Sequence, residues 1–354
     1  MQPAIRTALA AAVLALATAA QAQEPRIGLS APLDGPFALL GAQMRDGAAI
    51  AARQAGVELV AADDSCTGEG GAAAGRDLAE AGAAIVVGFL CFEAVEAALP
   101  ALAEAGIAVI TPGVRANGLT DRRGRTGWPV WRLAPRADAE ARAIADILPR
   151  RWRGEHFAIL DDGTIHGREL AESLRLAAEM AGLRPILVDT YRPQMENQIG
   201  LVGRLARAGA SHIFVGGDRD DVAIMARDAA GLGHELTFAG GEALRAAGDI
   251  ALAEGTLMVG LPEWADMIGE SEAERFAEAR IEPEGYVAAA HAAVEIAAEA
   301  LRKARDGDAA IADILARDSF ETLIGPVSFD EKGDMAQSRF VLQRYDGERF
   351  VPVD

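Results

Sequence analysis

Positive charge, aromatic side chains and cysteine are all scarce in this chain of 354 residues. Lysine and arginine total 34 against 53 acidic residues, a formal charge of −19, so the overall field repels a phosphate backbone and argues against a nucleic-acid partner. No internal apolar run is long enough to span a bilayer. There is no low-complexity linker and no repeat of solenoid length. Local catalytic signatures are missing too: no G-x-S-x-G surrounds a serine, no phosphate loop ends in G-K-[ST], and no G-x-G-x-x-G follows a strand pattern. The glycine cluster Gly68-Glu69-Gly70-Gly71 brings an acidic side chain and suits a turn better than a pyrophosphate cradle. The histidines 156, 166, 212, 234 and 291 have no paired ligand spacing, so no metal site and no cofactor are expected. The reading is of a non-enzyme, with a dispersed hydrolytic site assembled from separate loops as the enzymatic alternative.

What is present is a 51% apolar composition, enough to exclude wholesale disorder. At the N-terminus Arg6 precedes an uncharged stretch whose apolar heart, 8–20, runs into Ala20-Gln21-Ala22. That is the order of a secretory signal peptide, read here as residues 1–22, and it implies a periplasmic destination. Its removal takes away Arg6 and no acid, leaving −20. Export favours a bridge between Cys66 and Cys91 over metal ligation, with two buried thiols as the alternative. Closing that loop is worth about 3 kcal/mol on a chain-entropy estimate.

Short apolar runs alternate with alanine-rich stretches of helical period, the pattern of parallel βαβ units. Strands are expected at 26–29, 57–62, 84–89, 108–111, 156–160, 185–189, 212–215, 236–239 and 256–261. A helix at 37–54 follows Pro36 with Leu40, Met44, Ala48 and Ala51 on one stripe, and a long helix is expected at 283–305. After the charged turn at 121–125 the texture changes, and a helix from about Ala137 enters a second lobe. Chain returns near Leu261-Pro262 and Gly325-Pro326 give three crossings, hence a hinge. The expected architecture is α/β, two doubly wound parallel-sheet lobes joined by a three-segment hinge. Residues 23–136 with 263–328 form the N-terminal lobe and 137–262 with 329–354 the C-terminal lobe.

In an open parallel sheet, ligands collect at the carboxyl ends of strands. Those ends carry 30–33, Cys91-Phe92-Glu93, 111–115, Asp161-Asp162-Gly163 with His166, 216–218 and 240–242. A zwitterion fits such a rim: its carboxylate on helix N-termini and Arg115, its ammonium on Glu242 or Asp218. Each residue also has a plainer role. Glu242 suits a first-turn helix acid, Arg115 a solvated loop cation, His166 and Asp218 caps or surface positions, and Phe92 the core.

Several stretches resemble one family: 27–41 with Leu33-Asp34-Gly35-Pro36, Asp63-Asp64-Ser65-Cys66, 87–91, Ile110-Thr111-Pro112-Gly113, Gly216-Gly217, Gly240-Gly241-Glu242, and 325–334. The chain resembles the type I periplasmic solute-binding proteins of the leucine/isoleucine/valine-binding group, receptors for ABC importers, in order along essentially the whole mature sequence. The resemblance implies two α/β lobes that close on a small amino acid and dock on a membrane permease. It also implies a Cys66–Cys91 bridge and Glu242 as the acid that takes a ligand ammonium. His166 falls where an aromatic usually covers the ligand, and Asp218 near another aromatic. The ligand-binding set expected on this basis is Leu40, Cys91, Phe92, Glu93, Gly113, Val114, Arg115, His166, Asp218, Glu242 and Ala243. Phe92 and Val114-Arg115 stand where the family places small hydroxyl residues, which shifts the expectation toward a bidentate Arg115–carboxylate contact or a differently shaped, more polar ligand. A monomer is expected. A separate membrane partner that reads ligand occupancy is the signalling alternative.

Overall fold

A computed structural model describes residues 25–307 and 309–353; the expected signal peptide, 1–22, lies outside them. In the first part of the chain come β1 (Arg26–Ala31), α1 (Ala38–Ala55), β2 (Glu58–Asp63), α2 (Gly68–Glu80), β3 (Ala83–Gly88), α3 (Phe92–Glu104), β4 (Ala108–Thr111), the short α4 (Gly118–Asp121) and α5 (Arg123–Thr126), and β5 (Val130–Arg132). These strands form one parallel sheet of order β2-β1-β3-β4-β5.

The chain then enters α6 (Ala139–Arg151), β6 (Phe157–Asp161), α7 (Ile165–Met180), β7 (Leu187–Thr190), α8 (Ile199–Ala208), β8 (His212–Gly216), α9 (Arg219–Gly231), β9 (Thr237–Gly240) and β10 (Leu257–Gly260). After α10 (Trp264–Met267), α11 (Glu270–Ala279), α12 (Val287–Asp306) and α13 (Ile311–Arg317), it closes with β11 (Val341–Tyr345) and β12 (Phe350–Pro352). The second sheet runs β12-β11-β10-β9-β8-β6-β7.

All nine expected strands are present within a few residues, and the two named helices are α1 and α12. Three strands were not expected. β5 is only three residues long and follows a proline. β11 and β12 pair antiparallel with β10 and with each other, so the second sheet is mixed rather than purely parallel. The Gly68–Gly71 cluster is the first turn of α2 and not a free turn: the Thr67 hydroxyl accepts from the Gly70 N–H as an N-cap. A Cβ at Gly71 would lie 2.1 Å from the Ala94 carbonyl oxygen, so glycine lets α2 and α3 touch.

The chain passes between the sheets three times: after β5, after β10 and before β11. α12 packs on α1 and the first sheet, burying Ala288, Ala292, Val294, Ile296 and Ala300 against Ile27, Leu29, Ile85 and Ile110. Residues 329–335 run beside β5, through the Arg132↔Asp334 bridge and the Arg132 N–H donating to Gly333 O at 2.7 Å. This stretch thus pairs along the edge of the first sheet before the chain reaches β11.

Candidate functional site

In each sheet the order of strands reverses once, between β1 and β3 and between β6 and β8, and polar residues lie on loops at the carboxyl ends of the strands around those points. The structure joins two of them across the molecule. Arg115, on the loop after β4, reaches Glu242, which opens a short 3-10 turn after β9. Its Nη1 and Nη2 donate to Glu242 Oε2 at 3.3 and 3.4 Å. The other oxygen, Oε1, accepts the Leu261 N–H at 3.1 Å. Both carboxylate oxygens are thus engaged, and the pair is part-buried.

Behind Glu242 stands Glu140 in the first turn of α6, only 6% exposed. Its Oε1 accepts the Glu242 N–H at 2.6 Å and its Oε2 lies 3.4 Å from His166 Nε2. Burial pushes the Glu140 carboxyl up from its ordinary value, against the downward pull of the Glu242 N–H. Gly241 is required here for space: a Cβ would sit 2.0 Å from Glu140 Oε1. Sequence reasoning missed Glu140, whose only signal was an acid in a first helical turn.

The backbone of Arg115 is held as firmly as that of Glu242. Arg132, fully buried, donates from Nη1 to the carbonyls of Arg115 and Ala116 at 3.1 and 2.6 Å. The Ala137 N–H, on the approach to α6, donates to the Arg115 carbonyl at 2.8 Å. Arg132 itself is fixed by Asp334, whose Oδ1 accepts Nε and Nη2 at 2.8 and 2.6 Å, while Arg136 donates to Oδ2 at 2.7 Å.

The remaining expected residues divide. Gly113 and Val114 are buried next to Arg115, and the Val114 N–H is spent on the Thr111 hydroxyl. Cys91 is the N-cap of α3 and is bonded to Cys66, so the thiol alternative falls away. Cys91 and Glu93 present the first turn of α3. The half-buried Phe92 ring packs against the core beneath the first sheet, with the Arg122 guanidinium 5.5 Å from its centroid. Leu40 is half-buried on α1 behind the exposed Phe37 and Leu39. Asp218 and Ala243 line a different recess, with Met195 and Asp221. The nearest cavity to Arg115 lies at the crossings and is lined by Gly113, Leu133, Leu261, Trp264, Tyr286 and Arg339 among others. Among the described residues no group of three or more His, Cys, Asp or Glu side chains could hold a metal.

A family model described as periplasmic binding protein matches residues 24–349. The chain belongs to the periplasmic binding protein family. Among curated members, the Leu/Ile/Val-binding protein homolog 3 of Brucella melitensis is 27% identical over 97% of both chains. The leucine-, isoleucine-, valine-, threonine-, and alanine-binding protein of Pseudomonas aeruginosa is 26% identical over 90% of this chain and 89% of its own. Among solved structures, a protein from Rhodospirillum rubrum shares the fold with a TM-score of 0.77 at 16% identity, covering 93% of this chain and all of that one. The periplasmic binding protein fold of two parallel-dominated sheets is thereby established for this chain. Among the described residues no helix is long and apolar enough to cross a membrane.

Proposed function

We propose that this chain is the exported, periplasmic substrate-binding component of an ABC importer, capturing an amino acid or related small carboxylate between its two halves and handing it to a membrane permease. The observation that carries the reading is the Arg115–Glu242 contact, a charge pair between residues 127 apart in sequence, one from the rim of each sheet. A solute that engages both rims favours the form in which they are close, so binding energy shifts the population toward a closed state. The family and its curated members, named for branched-chain amino acid binding, support the same reading.

The test is a melting-temperature screen of the mature protein against amino acids and small mono- and dicarboxylates, with small-angle scattering on each hit. A ligand is expected to raise the melting temperature by mass action and to reduce the radius of gyration. No shift with any member of either class would remove the reading, and recovery of the ligand in altered form would replace it with a hydrolase.

A further inference from the structure

Resting on the reading just given, the identity of the solute can be taken one step further. The charge of Glu242 is already paired, its Oε2 facing Arg115 and its Oε1 accepting the Leu261 N–H, so a ligand ammonium there competes with a guanidinium. Arg115, by contrast, spends its guanidinium on one carboxylate oxygen and, among the described residues, makes no other side-chain hydrogen bond. The cavity beside it has apolar walls, Leu133, Trp264 and Ile324, with the phenol of Tyr286 at one side. It is lined by two guanidiniums, Arg115 and Arg339, and by no carboxylate. Arg339 forms no ion pair among the described residues, and its buried Nε–H has no partner. Its one side-chain bond runs from Nη2 to the Pro326 carbonyl.

We infer that Arg115 acts as a tethered cation filling the place before Glu242 that a ligand's ammonium would take, so that the site selects a monocarboxylate with an apolar body and no amino group. The carboxylate of such a ligand meets unused N–H groups on Arg115, and Arg339 adds favourable charge from the far wall. The apolar body is desolvated against Trp264, Leu133 and Ile324. An amino acid of the same shape must either break the Arg115–Glu242 pair or bury its ammonium where only cations line the wall, and an unpaired buried charge is costly.

Matched pairs that differ only in the ammonium test this by calorimetry on the full mature chain: 4-methylpentanoate against L-leucine, and 3-phenylpropanoate against L-phenylalanine. The acid is expected to bind at least tenfold more tightly than its amino acid. Arg115→Met is expected to weaken the acid at least tenfold and to narrow the ratio within each pair. Arg115→Lys, which keeps the charge and loses the fork, reads the same contact if the methionine variant melts early, with an intermediate loss expected. An amino acid that binds as tightly as its acid, or an acid whose affinity ignores both substitutions, overturns the inference and leaves the binding-protein reading intact. Binding by neither class overturns both.

Discussion

Gly241 and Glu140 are matched atom against atom. The backbone of Gly241 is extended, with φ of −92°, and any residue could adopt it; only the 2.0 Å approach to Glu140 Oε1 demands the missing Cβ. Gly241→Ala is therefore expected to displace the Glu242 turn, costing about 1–3 kcal/mol as an overpacked site and weakening the ligand. Glu140→Ala leaves the Glu242 N–H without its acceptor, about 1–3 kcal/mol again. Denaturant titration of the two single variants and the double should show the double costing less than the sum, since each removes the other's clash or partner. This pair also marks where sequence reading stops. Arg115 and Glu242 could be found because both sit just past strand ends, where a doubly wound sheet gathers polar groups. Glu140 could not, because its partner is 102 residues away and its own helix gives it an ordinary solvent-facing role.

At the scale of elements, the disulfide joins the start of α2 to the start of α3, beside the rim that carries Arg115. Replacing both cysteines by serine should lower stability by about 3 kcal/mol, read as a fall in the denaturant midpoint with a steeper slope, because the uncrosslinked unfolded chain exposes more surface. The expected strands were legible because each is an apolar run bounded by glycine or polar residues. β11 was not, because Gln343 interrupts it with a side chain that reads as exposed. In the structure Gln343 is 1% exposed and spends its amide on the Gly260 and Leu261 carbonyls. Phe92 was legible both ways, as a residue at a helix start and as a core ring, and its half-buried ring packs beneath Arg122.

For the whole molecule the decisive charges are those at the crossings. Removing Asp334 leaves Arg132 buried without its counter-charge, and Asp334→Ala is expected to cost about 3–5 kcal/mol, measured by thermal or chemical unfolding. The surrounding network also sets an acid limit. Hydrogen bonds from Arg136 and then Lys332 hold the Asp121 carboxyl down to about 2 from an ordinary 3.8. A carboxyl depressed in the folded state contributes stability that is complete above its unfolded value and lost as pH falls toward its folded one. The difference in melting temperature between the wild type and Asp121→Asn is therefore expected to be constant above about pH 5, to shrink as pH falls through that range and to vanish only below about pH 2. Arg132 has one more consequence. The same guanidinium grips Asp334 on the last crossing and the peptide oxygens of Arg115 and Ala116. A shift of the 329–335 stretch along β5 therefore reaches the Arg115 loop through one buried cation, so strand edge and loop are mechanically tied.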